Sequence, residues 1–164
     1  MEKEILNTSL KELYEEYSND IFRYSFSILK NYEEARDIVQ ETFIHYIEKE
    51  SSFKGECSYK TWLFIIARNL CYSRARSKSF KNDRIDSHSF EKNYTDTFDI
   101  NISIRNALMK ISKESSELLY LKEYEGYSYS EISEITKLSV ENVAVKLYRT
   151  KKMLRKYLRD FREK

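Results

Sequence analysis

The sequence predicts an all-α fold: two small helical domains joined by a flexible linker. Three observations carry this. Among 164 residues there is no proline, and Gly55 and Gly126 are the only glycines, so the tight turns that a β-rich fold needs are poorly supplied. Apolar residues recur by threes and fours over several stretches, the mark of amphipathic helices. Between two such groups, residues 79–103 are rich in Lys, Asn, Asp, Ser and Thr and show no sustained period. A structureless connection of that length inside a compact domain is uncommon, so it reads as a linker. The divisions are then 1–78, a helical bundle; 79–103, the linker; and 104–164, a second helical unit.

Ser9 opens the first helix, whose stripe is Leu10, Leu13, Tyr14, Tyr17, Ile21, Phe22, Ser25, Phe26 and Leu29. Asn31 can cap the second. There Ala35, Ile38, Val39, Thr42, Phe43, Tyr46 and Ile47 form the core face, while Glu34, Asp37, Gln40, Glu41, His45 and Glu48 make an acidic, exposed face. Small residues and Gly55 interrupt the pattern over Ser51–Glu56. A third helix begins near Ser58 on a stripe of Tyr59, Trp62, Leu63, Ile66, Ala67, Leu70, Cys71 and Arg74, with Lys60, Arg68, Asn69, Tyr72 and Arg76 on its other faces. Three matching stripes can share one core, and Phe53 and Trp62 are read as part of it.

Periodicity returns with Ile104, Ala107, Leu108 and Ile111. A further helix spans about Ser115–Tyr124, ended by Gly126 as a left-handed cap. Ser128 with Glu131 then forms a capping box for a short helix bearing Ile132 and Ile135. Thr136-Lys137-Leu138 is a break. Ser139 can cap the last helix, with Glu141 in its first turn, where the helix dipole favours a negative charge. Its core stripe is Val143, Leu147, Thr150, Leu154 and Leu158; the opposite face shows Glu141, Asn142, Val145, Lys146, Arg149 and Lys152. A short helix, a short turn and a longer helix with a polar, basic face outline a helix-turn-helix, a reader of duplex DNA.

Charge supports nucleic acid. The net charge of +2 conceals blocks of −6 over residues 1–56, +6 over 57–84, −5 over 85–142 and +7 over 143–164. Two basic segments, each after an acidic one, point to two separate places that meet nucleic acid. Cys57, Cys71, His45 and His88 fall in no metal-ligand spacing and in no Cys–His nucleophile pattern, so no metal, cofactor or catalytic residue is expected. No apolar run is long enough for a membrane span and no signal peptide precedes the first helix, which predicts a soluble, cytosolic protein.

Asp20–Phe43, Phe53–Arg76 and Leu118–Leu158 together resemble a bacterial RNA polymerase sigma factor of the extracytoplasmic-function group. ARDIVQETF (35–43) and TWLFIIARN (61–69) are the most specific segments. The resemblance implies that the second helix docks on the coiled coil of the polymerase β′ subunit through Glu34, Asp37, Gln40 and Glu41. It implies that Ser51–Glu56 rims a pocket for an extruded minus-ten base. Lys60, Arg68, Asn69, Tyr72, Arg74 and Arg76 would then contact the separated strand. The last helix would read the minus-thirty-five element. There Glu141 can accept from cytosine, Asn142 can pair with adenine, and Ala144 and Val145 can touch thymine methyls. Lys146 belongs to the same face, and Arg149 and Lys152 hold phosphates. Two departures from the family pattern stand out: Lys137 where the turn commonly holds glycine, and Ser133 where alanine is common.

The expected function is therefore a dissociable sigma factor that binds core RNA polymerase, recognises both promoter elements and initiates transcription, without being an enzyme. Family analogy adds an anti-sigma factor as partner, and the lack of a long apolar run predicts no direct membrane insertion. The alternative is a stand-alone helix-turn-helix regulator, which would use the first domain for a ligand pocket or dimer seam. A helical adaptor that binds only protein is disfavoured by the two basic blocks.

Overall fold

The structure, a computed structural model, describes residues 9–81 and 102–162; all regular structure among them is helical. Helix α1 is Leu10–Leu29. Its start is a capping box: Ser9 Oγ accepts from the Glu12 N–H and the Glu12 carboxylate accepts from the Ser9 N–H at 2.9 Å. Helix α2, Tyr32–Lys49, is capped by the Asn31 side chain, which accepts from the Glu34 N–H at 3.0 Å. A single 3₁₀ turn over Glu50–Ser52 leads towards α3, Tyr59–Lys81, whose first turn is tied by Ser58 Oγ accepting from the Thr61 N–H at 3.1 Å. The three helices enclose Ile21, Ala35, Ile38, Phe43, Tyr46, Leu63, Ala67 and Cys71, as their stripes require. Burial pushes the Cys71 thiol up to about 12.

Leu10, Tyr14, Ile47 and Ile104 depart from the expected stripes: they are exposed rather than core, Ile47 at 54%. The last turn of α2 lies where α1 only begins, and Leu10, the first residue of α1, is itself exposed. Among the described residues no further layer covers that end.

The second half holds α4 (Ile102–Met109), α5 (Lys113–Leu119, widening into a π turn over Tyr120–Tyr124), α6 (Tyr129–Thr136) and α7 (Val140–Arg162). Gly126 stands at φ 73° and closes the π turn, with the Tyr127 N–H donating to Leu121 O at 3.0 Å. Helix α3 runs past the expected boundary at 78, and α4 starts inside the expected linker; the rest of that linker, 82–101, lies outside the described residues.

The two halves are packed together. One buried cluster runs from Leu13 through Leu63 and Phe64 to Leu118, Ile132 and Leu147. Helix α1 rests on α5, and α3 on α6. This accounts for Tyr24, Ile28 and Phe64, which lie off the expected stripes of α1 and α3 yet are fully buried: each helix has a second apolar face. The Lys30 ammonium, beyond the end of α1, donates to the carbonyls of Leu108 (2.6 Å) and Ile111 (3.2 Å) at the C-terminal end of α4, where a cation is favoured. Burial, and behind it the charge of Lys113, brings its pKa down to about 8. No helix among the described residues is long and apolar enough to cross a membrane.

Candidate nucleic-acid interface

The turn between α6 and α7 positions the first candidate face. Ser128 and Glu131 form the expected capping box, at 3.2 and 2.7 Å. Lys137 ends α6 in the left-handed region at φ 64°, the conformation for which glycine is the usual choice. Its N–H donates to Ser133 O at 2.9 Å, and Ser133 Oγ donates to Leu138 O at 2.5 Å. Ser139 caps α7 by accepting from the Asn142 N–H at 3.2 Å. Val143, Leu147 and Thr150 face inward. Glu141, Asn142, Val145, Arg149 and Lys152 are exposed and Ala144 is half-buried. Lys146 is partly engaged, since its ammonium meets Glu114 of α5 at 2.8 Å. Arg149, Lys152, Met153, Arg155, Lys156 and Arg159 line one open basic groove. Among the described residues no carboxylate pairs with these cations.

The second candidate face is divided. Asn69 and Arg76 are exposed on α3. Lys60, Arg68 and Tyr72 are turned towards the C-terminal half. Lys60 lies 3.0 Å from Asp20 and 2.6 Å from Glu125. Burial alone would lower its pKa, but the hydrogen bonds and charges of Glu125 and Asp20 outweigh burial and hold it above the ordinary lysine value. Glu117 is wholly buried, and its carboxylate accepts from Tyr24 Oη (2.5 Å), Arg68 Nε (2.7 Å) and Tyr72 Oη (2.6 Å). Burial first, then the Glu117 charge, raises the Tyr24 and Tyr72 phenols. Arg74 faces the other way, onto α2. It pairs with Glu41 and reaches Asp37 at 3.5 Å. At the start of α3, Phe53 stacks on Trp62 at 4.6 Å and on Tyr59 at 4.9 Å, making an aromatic edge next to the Ser51–Glu56 loop; all three rings are only half-buried.

On the acidic face of α2, Asp37, Gln40 and Glu41 are open to solvent to varying degrees, whereas Glu34 is mostly covered and pairs with Lys78. Ile44, 54% exposed, adds an apolar element to that side of the helix. Sequence reasoning missed Ile44, Tyr148 (65% exposed on α7) and the carboxylates Glu117 and Glu125. The spacing of Tyr148 from Ala144 and Val145 would have placed it on the reading face. Nothing in the local pattern marks Glu117. Among the described residues no group of three His, Cys, Asp or Glu side chains is placed to hold a metal ion.

A basic recognition helix, a second basic helix edged by aromatics and an acidic helix face define a helical transcription protein with several working surfaces. Comparison with known proteins narrows the class. Residues 13–81 match Sigma-70 region 2 and residues 101–154 match Sigma-70 region 4. The RNA polymerase sigma factor YlaC of Bacillus subtilis is 29% identical over 164 residues, covering 94% of this chain and 95% of that protein. The ECF RNA polymerase sigma factor SigM of the same organism is 30% identical over 159 residues, covering 90% and 93%. The fold is also that of the sigma factor RpoE solved with the anti-sigma factor NepR from Bartonella quintana, with a TM-score of 0.77, 23% identity and coverage of 91% and 96%. The chain belongs to the sigma-70 family, in its extracytoplasmic-function group. It is a dissociable sigma factor that serves RNA polymerase in promoter-directed initiation, and belongs to a family of DNA-binding regulatory proteins.

Proposed function

We propose that the work of initiation is divided among three faces of this chain. Asp37, Gln40 and Glu41, with Glu34 at the margin and Ile44 as an apolar supplement, dock α2 on the basic coiled coil of the polymerase β′ subunit. Lys60, Arg68, Asn69, Tyr72 and Arg76 hold the separated minus-ten strand, with the Phe53–Trp62 edge and the Ser51–Glu56 loop as rim of a base pocket. Arg74 acts chiefly as the counter-ion that sets Asp37 and Glu41 in place. Helix α7 enters the major groove at the minus-thirty-five element. Glu141, Asn142, Ala144, Val145 and Tyr148 face the base edges, while Arg149 and Lys152 hold phosphates, with Lys146 available once it leaves Glu114. The domain divisions near 78 and 104 accord with these roles. The observation that carries the reading is the bare cationic face of α7 just beyond a reading face of small and polar residues. Neutralising phosphates is the main use of such a face. The solved RpoE and CnrH relatives are complexes with an anti-sigma factor and with the cytosolic domain of CnrY respectively, which supports an anti-sigma partner for this chain too, and a place of work in the cytosol.

Run-off transcription with core polymerase on fragmented genomic DNA tests the whole assignment. Defined start sites that appear only when the chain is added support it. The stand-alone regulator would give none, and would not co-purify with core polymerase.

A further inference from the structure

Helix α7 carries seven cations between Lys146 and Arg159, and their pairing follows their position. Val143, Leu147, Thr150 and Leu154 fall within an arc of about 60°, the seam that faces the protein, when each residue turns the helix by about 100°. Lys146 stands about 40° outside one edge of that seam, and Lys151 about 40° outside the other. Arg149, Lys152, Arg155, Lys156 and Arg159 lie farther round, on the open side. Among the described residues only the two edge lysines of the seven meet carboxylates: Lys146 meets Glu114 at 2.8 Å, and Lys151 meets Glu123. Both acids come from α5 and the π turn that extends it, which pack on α7. They stand about two and a half turns apart, so they leave α5 by roughly opposite sides. One acid therefore grips α7 on each side of its seam.

A helix seated in the major groove turns its outer face to the base edges and its flanks to the phosphate backbones that wall the groove. Lys146 and Lys151 stand on those flanks. Left alone, each would hold a phosphate whatever the sequence. Held by Glu114 and Glu123, each must give up one anion to gain another, and the acid left behind repels the same wall. The four side chains are between 37% and 51% exposed, where an ion pair adds little to stability, so folding alone gives little reason for the arrangement. A dissociable factor has a reason, because every added phosphate contact tightens binding to all sequences alike. We propose that Glu114 and Glu123 are affinity-setting residues for duplex DNA: they hold two flanking lysines back from the phosphates and so keep the grip on the minus-thirty-five element weak enough to release. The proposal deepens, and rests on, the reading of α7 as the helix that enters the major groove. It gives the two acids an effect opposite to that of a structural brace, since removing one strengthens binding.

The test uses the holoenzyme. Its probe is a fluorescent duplex that carries the minus-thirty-five element of a promoter found by run-off transcription and ends before the minus-ten element, so strand opening is not read. Anisotropy titrations run from about 50 to about 200 mM salt. Glu114→Gln and Glu123→Gln are each compared with wild type, and circular dichroism of the free chain checks that helicity is kept. Each variant should bind several-fold tighter at the lowest salt, with a salt slope steeper by about one, so that its advantage shrinks roughly three- to fourfold across the series. The double variant should steepen the slope by about two. Adding Lys146→Gln to Glu114→Gln, or Lys151→Gln to Glu123→Gln, should abolish the gain. Unchanged or weaker binding by both single variants overturns the proposal, as does a gain that survives removal of the lysine. Arg149→Ala with Lys152→Ala in the same assay separates the two levels. A wild-type slope in that variant means that the reading of α7 has failed; a reduced slope there, with both acid variants behaving as wild type, means that the affinity-setting role alone has.

Discussion

Helices α3 and α7 are each 23 residues long and each strongly basic, yet they differ in what occupies their cations. On α3, Lys60, Arg68, Arg74 and Lys78 all meet carboxylates from other helices. On α7, Lys146 and Lys151 are paired, while Arg149, Lys152, Arg155, Lys156 and Arg159 line an open groove. A block of positive charge therefore means two different things in one chain. On α7 most of it stands open to solvent. On α3 it is largely spent holding the molecule together, and is available to DNA only at the expense of those contacts. Charge counting locates a basic helix; it does not say whether the charge is free.

The comparison can be broken most sharply on the side of α3 that faces α2. If Arg74 serves Asp37 and Glu41, those two carboxylates are a set pair aimed at polymerase. Reversing both, Asp37→Lys with Glu41→Lys, should abolish co-purification with core polymerase while circular dichroism shows helicity unchanged. Arg74→Ala should loosen the pair and weaken core binding only mildly, without affecting strand capture on a pre-melted template. Normal core binding by the double reversal would remove α2 from the docking role.

The next largest effect concerns the free cations. Changing Arg149 and Lys152 together to Ala should weaken duplex binding at every promoter and reduce the salt slope by about two, one for each phosphate left without its cation. The loss should be sequence-independent and should not be rescued by a pre-melted bubble, because unpairing is not the step affected. Binding titrations of the holoenzyme across a salt series check this. An unchanged slope would mean that α7 lies against the duplex by another face.

Most of the individual helices are legible in the amino-acid sequence, because their ends are written locally. Asn31, Ser128 with Glu131, and Ser139 each cap the helix that their position and spacing assign them, and the stripes of α2 as far as Tyr46 and of α7 as far as Thr150 point inward as their periods say. Closure of the two halves is not legible. Tyr24, Ile28 and Phe64 form second apolar faces, but a period tells which sides of a helix are apolar and not what covers them. Glu117 is less legible still. An acid on a short helix is ordinarily solvated, and only the three donors brought to it by α1 and α3 make Glu117 a buried centre. Ile47 fails in the opposite sense: it keeps the period, but at an end of the bundle where none of the described residues covers it. The division of α3 into spent and free cations likewise depends on tertiary neighbours, which local spacing cannot report.

A smaller, internal reporter sharpens the contrast between closed and open. Burial, then the charge of Glu134 on α6, raises the thiol of Cys57, so the closed chain carries less thiolate there than an exposed cysteine would. Opening removes the C-terminal half, and Cys57 should relax towards its ordinary value. Alkylation by iodoacetamide at pH 8 should therefore be several-fold faster in Glu117→Gln than in wild type, because the thiolate is the reacting form. Cys71, buried within the three-helix core, is the silent control in both proteins. Peptide mapping of the labelled chain separates the two sites. Equal rates at Cys57 would mean that the substitution had not opened the molecule.

The smallest expected effect lies in the turn that launches α7. Lys137 holds φ at 64°, a conformation that costs a side-chain-bearing residue roughly 1–2 kcal/mol. Glycine would remove that cost but would itself lose more freedom on folding, by roughly 0.5–1 kcal/mol. Lys137→Gly should therefore stabilise the chain by only about 0.5–1 kcal/mol, the difference of those two terms. No ion pair is forfeited, since Lys137 is exposed and no partner for its ammonium is found among the described residues. Ser133 works in the opposite direction. Its hydroxyl ties the Leu138 carbonyl across the turn at 2.5 Å, and Thr136 Oγ1, itself donating to Ile132 O at 2.7 Å, accepts from the Leu138 N–H at 3.4 Å. Ser133→Ala should cost about 1 kcal/mol, the usual net worth of one such bond. If these hydroxyls are what hold the strained residue in place, the two substitutions are coupled, and Ser133→Ala should cost less in the Lys137→Gly background than in wild type. Urea midpoints of the four proteins measure this. A destabilised Lys137→Gly, or costs that simply add, would show that the turn is held by the packing of Ile132, Ile135 and Val143 rather than by its hydroxyls.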